Sequence, residues 1–206
     1  MAIARTTELQ AVNTMLSAVG EPPITHLEGQ KNADAAIARN ILTEISRDVQ
    51  TAGWHFNLQK KVSLTPDSSS FIYLPDNVVR VDIDYWTDGT GSGDRRDITQ
   101  RGDRLFNRTD NSYKFTKAVV ATVVYLLEWT ELPEPVRRFI TVQSSRVFQD
   151  RMVGSQAHHQ FSQEDEVRAR ALLREFEMDT ADTSIFDNYD TYKSVARRSA
   201  LRGSSF

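Results

Sequence analysis

The sequence predicts an α+β protein, a mainly helical bundle with an antiparallel β insertion between the second and third long helices. Three observations predict it. Apolar residues recur at three- and four-residue spacing over residues 1–53 and again from 131 to 181, the period changes to two between 54 and 130, and Gly or Pro stands near the changeovers. Residues 1–53 and 131–181 then form a discontinuous bundle, 54–130 the β-rich insertion, and 182–206 a C-terminal tail.

Leu9, Val12, Leu16 and Val19 lie on one helical face, and Thr7 with Gln10 has the form of a capping box, in which each side chain satisfies a free amide of the other. Gly20 supplies a left-handed stop, and Glu21-Pro22-Pro23 forbids continuation because proline lacks the amide donor and clashes with the preceding turn. A second stripe of Ile37, Ile41, Ile45 and Val49, with Leu42 beside it, follows Asn32 as N-cap and Asp34 in the first turn, and ends at Gly53. Two amphipathic helices joined by a stiff elbow are expected.

From Trp54 the alternation changes. Trp54, Phe56 and Leu58 alternate with His55 and Asn57, and Val79, Val81, Ile83 and Tyr85 alternate with Arg80, Asp82 and Asp84, the pattern of strands with one wet face. "FIYLPDNVV" reads as a strand, a turn and a return, and "DGTGSGD" as a hairpin tip. "AVVATVVYLLEW" is apolar at both parities, which predicts a strand buried on both sides.

Helical spacing resumes after "LPEP", where Pro133 or Pro135 suits a first turn, and runs to Gly154. Val136, Phe139, Ile140 and Val147 share a face, whereas Val142, Phe148, Met152 and Val153 point elsewhere at 100° per residue. Such a helix is either central to a bundle or turned in part toward a neighbouring subunit, and the second reading makes Val142, Phe148 and Met152 candidate interface residues. A last helix is expected from about Ser162, with Glu164, Asp165 and Glu166 in its positive first turn and Phe161, Ala169, Leu172, Leu173 and Phe176 on its core side. Beyond Ala181 the chain is polar, with Ile185, Phe186, Tyr189 and Tyr192 followed by Lys193, Arg197, Arg198 and Arg202, and with no acidic residue after Asp190. This segment is either disordered or orders on a partner.

Composition narrows the chemistry. The 206 residues are 39% hydrophobic, with no cysteine for disulfides or thiolate metal sites, and no apolar run is long enough to cross a bilayer. The expectation is a soluble chain made in the cytoplasm, or carried out in an assembly. A net charge of -3 argues against tight binding of nucleic acid. His158 and His159 lie near Glu164, Asp165 and Glu166, but those carboxylates already suit a helix start, so no metal is expected. Asp82, Asp84 and Asp88 lack the spacing of a calcium loop, and Gly89, Gly91 and Gly93 lack the following helix that a phosphate cradle needs. Arg101-Gly102-Asp103 is read as a chance tripeptide. His26, His55, His158 and His159 stand in no triad signature, and neither a catalytic residue nor a cofactor is expected. Two carboxylates for glycoside hydrolysis could be drawn from the 28 acidic residues, so a polysaccharide hydrolase stands as the alternative, with a DNA-binding module built on Arg197, Arg198 and Arg202 behind it.

"AVNTMLSAVGEPPITHLEGQKNADAAIARNIL" followed by "QTAGWHFN" resembles the N-terminal signature of tail tubular protein A of short-tailed, podovirus-type (autographivirus) phages. The likeness extends through "LPEPVRRFITVQSSRVFQDRMVG" and "EDEVRARALLREFEMD". The resemblance implies a virion structural protein of the phage tail, assembled in the bacterial host cytoplasm: a homo-oligomeric ring of about twelve copies. Its implied partners are the portal, the tubular nozzle protein, the tail fibres and the genomic DNA that transits during ejection without tight binding. Gly20, Pro22 and Pro23 would then fix the helix crossing, and Gly53, Trp54 and Phe56 would join the β part to the bundle. Trp54→Ala is expected to cost about 3–5 kcal/mol if Trp54 is a core residue. Ile185, Phe186, Tyr189, Tyr192, Arg197, Arg198 and Arg202 are candidates for docking on the portal.

Overall fold

The computed structural model describes residues 4–28, 32–83, 97–154 and 156–181, with backbone alone for 156–162 and 181. Among them the order is α1 (Glu8–Ala18), α2 (Ala33–Thr51), β1 (Leu58–Leu64), β2 (Val78–Ile83), β3 (Ile98–Arg101), β4 (Arg104–Asn107), β5 (Val119–Tyr125), α3 (Glu134–Met152) and α4 (Gln156–Ala181).

Local chemistry sets the helix ends. Thr7 Oγ1 accepts from Gln10 N at 3.2 Å and Gln10 Oε1 from Thr7 N at 2.9 Å, closing the capping box. At the other end of α1, Gly20 N donates to Ser17 O and Glu21 N to Leu16 O, the paired bonds of a Schellman stop. Gly20 has φ +83°, and nothing lies within 4 Å of where a Cβ would stand, so glycine is required there by backbone conformation and not by crowding. The elbow is then fastened from α1: Asn13 Nδ2 donates to Ile24 O at 3.0 Å, and Asn13 Oδ1 accepts from Ile24 N at 2.8 Å. Pro22 and Pro23 are exposed, while Ile24 turns into the core.

Asn32 caps α2 by accepting from Asp34 N and Ala35 N. In the α2 stripe Ile41, Leu42, Ile45 and Val49 are buried, but Ile37 is half out at 40% exposure and Ala38 takes the inner position. α3 has Pro133 as N-cap and Pro135 in its first turn, where a missing amide loses no bond. It packs on α1, α2 and α4, whereas α4 packs among the helices on α3. The central position accounts for apolar side chains on several of its sides. Phe148 is fully enclosed in the helical core with Met15, Leu16, Ile41 and Ile140. This corrects the interface reading of Phe148, because a ring already surrounded by its own chain has no surface to give a neighbour.

β5 is the middle strand of a three-stranded antiparallel sheet ordered β1-β5-β2, and β3 and β4 form a separate hairpin. Val119, Ala121 and Val123 of β5 face a second core with Ile72, Leu74, Val78, Leu105 and Phe115. Its other face is also covered in part, since Val124 is fully buried and Val120 and Thr122 are half-buried. Arg101-Gly102-Asp103 is part of the β3–β4 turn, with Gly102 at φ +63°. That is a structural reason for the tripeptide.

Three boundaries differ from the sequence pattern. Trp54–Asn57 is a turn closed by Asn57 N to Trp54 O, so β1 begins only at Leu58. Phe71 and Tyr73 make single bridges, to Lys114 and Arg104, in place of a full strand. α4 begins at Gln156, ahead of the acidic cluster, and its Leu172 is 58% exposed instead of facing the core. Asp84, Tyr85 and the tip from Asp88 to Asp94 lie outside the described residues, as do Ile185, Phe186, Tyr189, Tyr192, Lys193, Arg197, Arg198 and Arg202 of the tail.

Candidate interaction surfaces and the joint between modules

The helical and β parts meet at the end of α2. Gly53, at φ +79°, sends its amide to Gln50 O, and the Val49 carbonyl accepts the indole Nε1–H of Trp54 at 2.7 Å. The Trp54 side chain thus supplies a donor to the end of α2, the helix that precedes it. Gly53 is also a close-approach glycine: a Cβ there would stand 2.9 Å from Arg80 Nη2 and 3.0 Å from Val124 Cγ2. Trp54 and Phe56 are half-buried against the helical core. The loss on Trp54→Ala therefore falls toward the lower end of the range for a buried aromatic.

Two buried amides carry the joint, and sequence pattern alone did not point to either. Gln50 Oε1 accepts from Leu127 N at 2.8 Å while Gln50 Nε2 donates to Leu127 O at 3.2 Å. Asn57 Nδ2 donates both to Gln50 O and to Tyr125 O, each at 2.8 Å, and Asn57 Oδ1 accepts from Trp54 N. Arg80, on β2, adds a bond to Ala52 O at 3.4 Å and pairs with Asp82. Burial strengthens such bonds and makes an unpaired partner costly. Gln50→Ala is expected to lower stability by about 2 kcal/mol, through the two Leu127 groups left unpartnered; a urea titration that leaves the midpoint unchanged would remove Gln50 from this role.

A second buried polar group ties the first residues to α3. Arg137, 4% exposed, donates through Nε to Leu132 O, through Nη1 to Thr6 O and through Nη2 to Thr130 O, at 2.7–2.9 Å. Trp129 Nε1 also donates to Thr6 O, and Thr6 N and Oγ1 both donate to the Glu134 carboxylate at the start of α3. Thr6 lies 123–131 positions from Trp129, Glu134 and Arg137, so periodicity cannot pair it with them.

On the outside, Arg151 forks onto Glu44, with both Oε atoms at 3.1 Å, linking the end of α3 to α2. The hydrogen bond and the positive charge of Arg151 hold the Glu44 carboxyl below its ordinary pKa. Any stability from this exposed pair is present above the ordinary carboxylate range and lost on acidification, and screening keeps it small. α4 is held to α3 by Glu166, which accepts from Arg146 and Arg170, and its far end is tied by Glu177 accepting from His55 N at 2.6 Å.

Of the proposed interface residues on α3, Val142 is half-buried against the core and Met152 is exposed at 42%. Other exposed large apolar side chains include Val167, Leu172 and Met178 of α4, and Tyr73 in the β part. The side chains of His158 and His159 lie outside the described ones, and among the described residues no group of three or more His, Asp or Glu could hold a metal. No described helix is long and apolar enough to cross a membrane.

Gln50, Asn57 and Arg137 end mainly on backbone atoms, so what they do is hold separate segments at fixed angles. That is the work of a structural module. The family model described as tail tubular protein matches residues 9–183, and the chain belongs to that family of phage tail structural components. A search of curated proteins finds no match.

Proposed function

We propose that this tail tubular protein is a ring-forming adaptor, about twelve copies joining the portal to the tail nozzle, seating the fibres and forming part of the channel through which DNA is ejected. Head-to-tail contacts close a ring only if each copy presents two different faces at one fixed rotation. The observation that carries this reading is the joint at Gln50 and Asn57, where buried amides bond the end of α2 to the strand that centres the sheet. Such a joint resists hinging between the two parts. The mildly acidic charge of -3 suits a channel that must not grip phosphate, since each Lys or Arg contact would add electrostatic drag. In this reading Met152 and Val142 contribute to contacts between copies, and the tail, with Ile185, Phe186, Tyr189 and Tyr192 as anchors and Arg197, Arg198 and Arg202 beyond them, docks on the portal.

The test is electron microscopy of the purified chain mixed with purified portal. Annular particles capping the portal are expected, and a single copy bound per portal, with no annulus, would overturn the adaptor reading.

A further inference from the structure

Both outer strands of the three-stranded sheet carry one residue more than their pairing with β5 uses. In β2 the partners step from Val78 with Tyr125 to Arg80 with Val124, which leaves Val79 as the extra residue. In β1 they step from Gln59 with Val123 to Val62 with Ala121, so Lys60 and Lys61 together stand opposite Thr122. The two bulges differ in their surroundings. Val79 is half-buried, whereas Lys60 and Lys61 are exposed and have no ion-pair partner among the described residues. Lys61 also holds φ +60°, a left-handed conformation that is costly for an L-residue and free for glycine. No side-chain contact explains that strain. The pairing does not require it either, because a strand with one lysine fewer would keep Leu58 opposite Val124 and Leu64 opposite Val119 without interruption.

What the bulge changes is the far edge of β1. In the order β1-β5-β2 this strand ends the sheet on its side, and among the described residues its outward edge pairs with no other strand. A continuous edge of this length would present a row of free amides and carbonyls to the same edge of another copy, the usual route to unwanted sheet growth. We infer that the Lys60–Lys61 bulge guards this edge: by bending and twisting β1 at its middle, it stops the strand from pairing with β1 of a second copy. The guard works through backbone shape, with the exposed ammonium groups adding only a like-charge penalty. Contacts between copies are thereby left to other faces of the subunit.

Two full-length variants separate shape from charge. Deletion of Lys61 and Lys61→Gly each remove one lysine, but only the deletion straightens the strand, since glycine keeps the bulge and relieves its strain. In sedimentation runs over a range of concentrations, the deletion variant is expected to reach about twice the mass of the parent species through antiparallel pairing of two β1 edges. In that associated form the β1 amides should exchange with solvent roughly tenfold more slowly than in the parent protein. Lys61→Gly should sediment with the parent and melt at or above its temperature. A deletion variant that sediments with the parent while keeping its circular dichroism would overturn the guard, as would association that leaves β1 exchange unchanged. Equal association of Lys61→Gly would overturn the role of shape and assign the effect to charge. A measurement on the parent alone keeps the inference testable if the deletion variant fails to fold. Its outward β1 amides should exchange fast at every concentration, and protection of every β1 amide would show the edge already covered and end the case for a guard. All runs are made without portal, so the outcome is independent of the adaptor reading.

Discussion

Phe148→Ala is expected to lower the unfolding free energy by about 3–5 kcal/mol, the cost of emptying a fully buried aromatic site. At about 2–4 °C per kcal/mol for a chain of this size, the melting temperature should drop by roughly 6–20 °C. The ring is fully buried in the core cluster that the helices share, and removing it leaves a cavity, because α1 and α2 are held by their own N-caps and cannot simply collapse onto the space. Thermal unfolding of the isolated chain measures this directly. A variant that melts with the parent protein but assembles differently would place Phe148 at a subunit contact after all.

Arg137→Met should be comparably damaging, at about 3–5 kcal/mol, for a polar reason. Methionine keeps much of the side-chain volume but removes all three donors. The carbonyls of Leu132 and Thr130 then lose the Arg137 bonds, while Thr6 O retains the indole of Trp129. Arg137→Lys should also destabilise, since one ammonium cannot reproduce a planar fork aimed at three carbonyls. Urea denaturation at constant slope checks both variants, and a midpoint equal to that of the parent protein would contradict the assignment.

The contrast between these residues shows what the amino-acid pattern can convey. The capping box of Thr7 and Gln10, the Asn32 cap and the stops at Gly20 and Gly53 are local, each settled by residues within a few positions, and all are present in the structure. The Thr6 carbonyl that Arg137 reaches and the Leu127 groups that Gln50 holds depend on where distant segments arrive, and polar residues in buried positions carry no periodic signal. Phe148 was misplaced for a related reason: a helical wheel separates inside from outside only when there is one inside, and α3 has neighbours on three sides. Trp54 and Phe56 alternate like strand residues because a tight turn also throws every second side chain toward the core. For the interaction surfaces, the chain's apolar residues were legible as apolar, but Leu172 and Met178 show that helical spacing alone does not say which face will be left without cover.

The Asn13 clamp on Ile24 bears on tolerance in manufacture. In the proposed ring of about twelve copies, a wobble of about 3° at each elbow would accumulate to roughly 36°, more than one whole place in the circle. Two short bonds on either side of a single residue hold that error down in every copy, so Asn13→Ala should broaden the spread of diameters in the finished particles more than it weakens any one of them.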